Sequence, residues 1–201
     1  KKGKQVLYLL PEIALTAQII QRLQKHFGQV TGVYHSRFSN AERVEIWNRV
    51  GGFNNAREYN LVIGARSALF LPFSKLGLII VDEEHDGSYK QHDPAPRYNA
   101  RDSALVLASL HGAKSVLGSA SPSIESYNNA LTGKYGLVEL KQRYGSVKLP
   151  GIVLADSREA YRKKLMVSHF TPQLLEAIDQ ALGNNEQVIL FQNRRGFAPN
   201  L

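Results

Sequence analysis

A chain of 201 residues, 43% hydrophobic and 21% charged, has room for one ordinary domain, or one domain and part of another, and is long enough to bury a real core. With no cysteine it has no disulfide framework, thiolate zinc site or cysteine nucleophile in this stretch, which fits a reducing compartment. Lys and Arg number 25 against 17 Asp and Glu, for a net charge of +8 and a pI near 9.7, so a polyanionic partner is expected, nucleic acid before membrane. No apolar run approaches a membrane span and no signal peptide is expected ahead of the first strand, so the expectation is a cytoplasmic protein without membrane association.

In chain order, short β-branched and leucine-rich runs at 5–10, 30–35, 59–64, 76–82, 115–118, 152–156 and 187–192 are predicted strands. Several are apolar on both alternating faces, as strands covered by helices on both sides must be. Ser39 with Glu42 is a capping box for a helix over 41–50 that Gly51-Gly52 stops. Trp47, with Val44 and Val50 on the same helix, is assigned to the core. Asn99 caps a helix over 100–110 that ends at Gly112. Ser121 and Thr171 each stand before a proline at the first helical position, and Gly133 and Gly183 close those two helices. In the last of them Leu174, Ile178, Ala181 and Leu182 share one face. Strand alternating with helix predicts an α/β fold, a parallel sheet with helices on both faces.

The stretch from Lys141 to Ile152 carries basic, Gly and Pro residues and no period, so a boundary is expected there. Residues 1–142 then form one lobe. Residues 143–201 form a linker and the truncated start of a second, since one helix between two strands is too little for an independent sheet.

The chemistry is concentrated in Leu78-Ile-Ile-Val-Asp-Glu-Glu-His, an apolar strand that delivers Asp82, Glu83, Glu84 and His85 at its carboxyl end. Ligands bind at that end of open α/β sheets. An Asp there suits Mg²⁺ beside nucleotide phosphates, and the adjacent Glu suits the orientation and deprotonation of water. The bland reading is an acidic surface turn after a buried strand. Gly118-Ser-Ala-Ser-Pro-Ser brings small hydroxyl residues to the same sheet edge, and Gly64-Ala-Arg-Ser places the guanidinium of Arg66 at another strand end. After the acidic run, Tyr89 and Tyr98 are interleaved with Lys90, Arg97 and Arg101, which pairs base-stacking faces with phosphate-binding cations.

Leu10-Pro-Glu-Ile-Ala-Leu-Thr, His35-Ser36 with Glu42-Arg43, Gly64-Ala-Arg-Ser-Ala-Leu-Phe-Leu-Pro-Phe, Asp82-Glu-Glu-His-Asp, Gly118-Ser-Ala-Ser-Pro-Ser-Ile-Glu-Ser and Gln187-Val-Ile-Leu-Phe-Gln-Asn-Arg-Arg-Gly-Phe-Ala-Pro resemble, in order, the signature blocks of the primosomal replication-restart helicases of superfamily 2. The resemblance implies a RecA-like helicase lobe 1 followed by the start of a RecA-like lobe 2. The implied activity is that of an ATP-dependent 3′ to 5′ DNA helicase acting in restart of stalled forks. Its implied cofactors are ATP and Mg²⁺. Its implied partners are single-stranded and forked DNA, primosome proteins and single-strand-binding proteins.

By position, the resemblance puts Asp82, Glu83, Glu84 and His85 in the catalytic set, Asp82 on Mg²⁺ and Glu83 on water. Asp82, Glu83, Gly118 and Ser119 would face the nucleotide. Glu84, His85 and the 118–121 loop would link nucleotide state to DNA and the neighbouring lobe. Thr16, Arg66 and Ser67 would face the DNA strand. Tyr89, Lys90, Arg97, Tyr98 and Arg101 would belong to an aromatic-rich loop, although Pro96 stands where such a loop often has a tryptophan. Ala65 and Ser121 replace residues that are often Thr.

The family's phosphate-binding Gly-Lys-Thr/Ser loop, its cysteine-rich Zn²⁺ module and its later motifs are absent from these residues. The expectation is an excised piece, inactive alone, of a parent that hydrolyses ATP and holds Zn²⁺ elsewhere. The alternatives are a non-catalytic DNA-binding module and the motor core of another superfamily 2 DNA or RNA translocase. A metal nuclease built on His85 and His92 with Asp82, Glu84 and Asp86 would need a second carboxylate cluster that the chain does not supply. The basic run Arg162-Lys-Lys, with Lys141, Arg143 and Lys148, reads equally as extra phosphate contacts or as a solvated face.

Overall fold

Alternation of burial along the strands shows how the sheet is covered. In a computed structural model, which describes residues 3–12, 14–35, 37–53, 57–142, 145 and 150–191, five predicted strands form one sheet. They are β1 (Gln5–Leu9), β2 (Thr31–Tyr34), β3 (Leu61–Gly64), β4 (Leu76–Asp82) and β5 (Lys114–Gly118), in the order β2-β3-β1-β4-β5, every neighbour parallel. On β1, Leu7 and Leu9 are buried and pack on one side with Val62, Ile79 and Val81. Helix α2 (Asn40–Gly51) covers that side with Ile46 and Val50, and α3 (Ala100–Leu110) with Ala100, Ala104 and Ala108. The opposite face, with Leu61 and Ile63, is covered by Ile19 and Leu23 of α1 (Ala17–Phe27). Each fully buried Leu, Ile or Val of this sandwich contributes about 2 kcal/mol by leaving water.

One buried polar side chain stitches the bottom of the sheet. Gln5 is 1% exposed. Its amide nitrogen donates to the carbonyls of Val50 (2.7 Å) and Tyr59 (3.3 Å), and its amide oxygen accepts from the backbone of Ser74 (3.1 Å) and Lys75 (3.0 Å). At the top, Gly64 is required by space: a Cβ there would lie 2.6 Å from Ala68 Cβ and 2.7 Å from the carbonyl oxygen of Tyr34.

The caps explain the helix ends and correct one expectation. Ser39 and Glu42 form the predicted capping box, and left-handed Gly52 ends α2. Asn99 caps α3 and Thr171 caps α6 (Pro172–Gly183) as expected. Helix α4 (Ile124–Leu131), however, starts two residues later than Ser121-Pro122 suggests. Its cap is Ser123, whose Oγ accepts from Ser126 N at 3.3 Å, because a carboxylate described below holds Ser123 in place. Trp47 is not core: it is 45% exposed and Val44 59%, while Ile46 and Val50 face inward. Helix α1, capped by Thr16, was not among the predicted helices; Ile19 and Leu23 at i, i+4 were its signal.

The chain divides into two compact units, Lys1–Val138 and Glu139–Leu201. Within the second, α5 (Ser157–Arg162) is capped by Asp156, and α6 follows a bridge between Val167 and Phe170. The strands predicted at 152–156 and 187–192 are not formed among the described residues. Ile152, Val153 and Leu154 are 85%, 85% and 92% exposed, and Ile189 and Phe191 are 92% and 85%. A parallel strand is held by ladder bonds to neighbours, and among the described residues of this unit no strand lies beside these runs, so β propensity has nothing to act on. Lys163 is paired with Glu159, whereas Arg143, Lys148 and the Asn193-Arg-Arg-Gly block lie outside the described residues. Among the described residues no helix is long and apolar enough to cross a membrane.

Candidate functional site

Parallel register brings four strand ends together: Leu9 pairs with Gly64 and with Val81, and Asp82 pairs with Gly118. The acidic turn therefore leaves the sheet between the end of β1 and the loop after β5. Asp82 is held on both oxygens. Tyr8 Oη donates to Oδ2 at 2.7 Å, and Glu83 N donates to Oδ1 at 3.1 Å. The carbonyl of Asp82 accepts from Tyr89 Oη at 2.7 Å. Burial, with the Asp82 carboxylate beside them, pushes both tyrosine hydroxyls well above their ordinary pKa, so they are fixed as donors.

Glu83 sits at a left-handed φ of 47°, a conformation that costs a non-glycine residue about 1 kcal/mol or more. Its carbonyl accepts from Asp86 N at 2.8 Å, closing the turn. The Glu83 carboxylate is about half exposed (48%) and stands 3.7 Å from His85 Nδ1. That imidazole nitrogen is hydrogen-bonded to Ser119 Oγ at 2.7 Å, and Nε2 lies 3.4 Å from Ser121 Oγ. The acidic turn and the serine loop thus meet at His85, as the strand-end argument predicts.

Glu84 is different. It is 3% exposed, and its carboxylate accepts from Ser123 N (2.6 Å), Ser123 Oγ (3.0 Å), Ser126 Oγ (2.8 Å) and Arg101 Nη1 (3.1 Å). Burial alone would raise its pKa; the hydrogen bonds from Ser123, Ser126 and Arg101 outweigh it and hold the carboxyl below its ordinary value. A carboxylate so enclosed is occupied by protein donors, which sets Glu84 apart from half-exposed Glu83 within the expected catalytic set.

Two members of the expected DNA-binding loop are corrected as well. Tyr89 is 1% exposed, packed into the main core, and offers no stacking face. The side chain of Arg101 is 14% exposed and donates to Glu84, Asp102 and Ser123, so it is committed inside the protein. The remaining loop is closed by a bridge between Lys90 and Asn99 and by Gln91 N donating to the Tyr98 carbonyl at 2.9 Å. Lys90 and Arg97 are exposed on it. Half-buried Tyr98 stands edge-on to Phe70 at 5.1 Å, and Phe70 itself is 61% exposed. Phe70 was missed as a site residue, although it lies in the quoted Gly64-Ala-Arg-Ser block.

Arg66 donates to the carbonyls of Ser88 (3.3 Å) and Lys90 (3.2 Å), so it props the start of the loop, with half-buried Ser67 beside it in the same 3₁₀ turn. Thr16 is exposed, and its Oγ1 caps α1 through Ile19 N. Gly118 receives Glu84 N on its carbonyl at 3.0 Å, and Ser119 is the partner of His85. Tyr8, Ser123 and Ser126 were missed. For Tyr8 the signal was register: it pairs with Ile80, and Asp82 is the next residue on the same face of β4.

Among the described residues no three His, Cys, Asp or Glu side chains stand together as a metal cage. Mg²⁺ does not need one, since it takes one or two carboxylates with waters and substrate phosphates. Asp82, oriented on both oxygens and with acceptor capacity left on each, fits that donor set.

The DEAD/DEAH box helicase family matches residues 1–130. Curated relatives include the replication restart protein PriA of Rickettsia conorii, 48% identical over 98% of this chain and 30% of the relative. The protein of the same name from Chlamydia muridarum is 45% identical over 99% of the chain and 26% of the relative, and that from Bacillus subtilis 42% over 98% and 24%. The chain thus spans about a quarter to a third of the length of these relatives.

Proposed function

We propose that this chain, which belongs to the DEAD/DEAH box helicase family, is part of the motor of an ATP-dependent 3′ to 5′ DNA helicase that acts in replication restart. The observation that carries the reading is the junction of Asp82, Glu83 and His85 with Ser119 at the carboxyl edge of a parallel sheet. Similarity to replication restart proteins supports the biological setting. Forked and single-stranded DNA are the proposed substrates, with primosome and single-strand-binding proteins as proposed partners.

In this reading Asp82 would hold Mg²⁺, which when bound neutralises charge on the nucleotide phosphates. Tyr8 and the Glu83 N–H keep the Asp82 carboxylate turned in one orientation. Glu83, half exposed on its strained turn, orients water and accepts its proton. His85, between the Glu83 carboxylate and Ser119, carries any displacement of the acidic turn into the loop after β5. The 201 residues contain no Gly-Lys pair followed by Ser or Thr. Hydrolysis is therefore expected of the full-length protein and not of these residues alone, because positioning of the γ-phosphate supplies much of the rate. On the DNA side, Lys90 and Arg97 offer phosphate contacts and Phe70 with Tyr98 the aromatic face.

Strand displacement by the full-length protein tests the reading. Unwinding of a 3′-tailed duplex with ATP, and much less of a 5′-tailed one, is expected. DNA binding without unwinding of either, or without ATP hydrolysis, would favour a non-catalytic DNA-binding module.

A further inference from the structure

Glu84 is attached to both ends of one short loop. Its backbone N–H donates to the carbonyl of Gly118, the last residue of β5, at 3.0 Å. Its carboxylate holds Ser123, the cap of α4, through both the backbone N–H (2.6 Å) and Oγ (3.0 Å). Between those anchors run Ser119, Ala120, Ser121 and Pro122. Within that bracket the next residue in the turn, His85, meets Ser119 at 2.7 Å and Ser121 at 3.4 Å.

The cap of α4 is one bond, Ser126 N to Ser123 Oγ, and the carboxylate holds the same serine through two more. Taking a carboxylate out of water is costly unless donors surround it, and the donors are supplied from two helices. Ser126 Oγ of α4 donates at 2.8 Å and Arg101 Nη1 of α3 at 3.1 Å. Arg101 Nη1 also reaches Ser123 Oγ at 2.7 Å, and Arg101 Nε reaches Asp102 at 2.8 Å. The same guanidinium therefore fixes the carboxylate and the serine it holds.

We propose that Glu84 and Arg101 are positioning residues, a buried clamp that sets the place of the 119–122 loop against His85. The proposal deepens the reading of the acidic turn as a nucleotide-hydrolysing site and, for its kinetic part, rests on it. The clamp has no contact with substrate to make; it acts through Ser119 and Ser121.

The test uses the full-length protein with Glu84→Gln, Arg101→Lys and the double variant. Amide exchange is expected to quicken about tenfold at residues 119–126 with β1 and β3 unchanged. kcat for ATP is expected to fall about tenfold with KM within about twofold. The double variant should lose no more than the worse single one, because both act through one clamp. If Glu84→Gln fails to fold, Arg101→Lys, which keeps the charge, carries the same exchange measurement. Unchanged exchange at 119–126, or additive losses in the double variant, overturns the clamp. A wild-type protein without ATP hydrolysis overturns the functional reading instead, and the exchange result then decides the clamp by itself.

Discussion

The acidic turn at 82–86 and the loop at 90–98 adjoin in sequence and are built on opposite plans. In the turn, Asp82 and Glu84 are each held by donors drawn from β1, the turn itself, α3 and the start of α4; Glu83 and His85 are exposed, Asp82 and Asp86 partly so. In the loop the contacts are mainly backbone ones, the bridge of Lys90 with Asn99 and the bond from Gln91 N to the Tyr98 carbonyl, and the side chains of Lys90 and Arg97 stand exposed. Chemistry at a phosphate needs groups held to within a fraction of an ångström, whereas contact with a flexible polyanion needs charge and reach. The difference between the two segments is the one the proposed roles would require.

Tyr89 joins the two regions, and removing it should have the largest effect on stability. Its ring is in the core and its hydroxyl donates to the Asp82 carbonyl. Tyr89→Ala should cost about 3 to 5 kcal/mol in urea unfolding, and Tyr89→Phe about 1 kcal/mol. A Tyr89→Ala protein of normal stability that bound DNA poorly would restore the stacking role and break the comparison.

A smaller effect follows from the charge on Glu84. Its folded pKa lies below the ordinary 4.5, so the stabilisation is fully present above that value and is lost as pH falls through the lowered one. Between about pH 5 and about pH 3 the wild type should lose more stability than Glu84→Gln. Parallel acid limbs for the two proteins would mean that the buried carboxylate is not what ties the turn down.

The smallest effect belongs to the loop. Lys90→Ala with Arg97→Ala should leave the unfolding midpoint where it is. The slope of log affinity for single-stranded DNA against log salt should become shallower by about 1.4, roughly 0.7 for each lost phosphate contact. An unchanged slope would remove the loop from the DNA side.

Where burial pattern and local capping decide the structure, the residues announced it. The run 76–82 reads as a buried strand ending in acid, and Ser39 with Glu42 reads as a helix start. What escaped were the decisions made by partners distant in sequence. Tyr89 and Tyr98 look alike in the chain, but the first is buried within the core formed with Leu7 and Val81, while the second packs against it half-buried. Ser121 before a proline is a sound cap by local rules, and it lost to Ser123 because Glu84, 39 positions away, binds that residue. Arg101 reads as a DNA cation until Glu84 and Ser123 are seen around it. The apolar run at 152–154 has every mark of a strand except a neighbour.

In the proposed site Glu83 does the proton chemistry while Asp82 and Glu84 serve position, and phosphate release by full-length Glu83→Gln separates these roles. The amide keeps the size of the side chain and can still hydrogen-bond water, but it cannot accept the proton. Mg²⁺-nucleotide binding should stay close to that of wild type, with turnover reduced at least about a hundredfold. Turnover close to wild type would contradict that role and take Glu83 out of the mechanism.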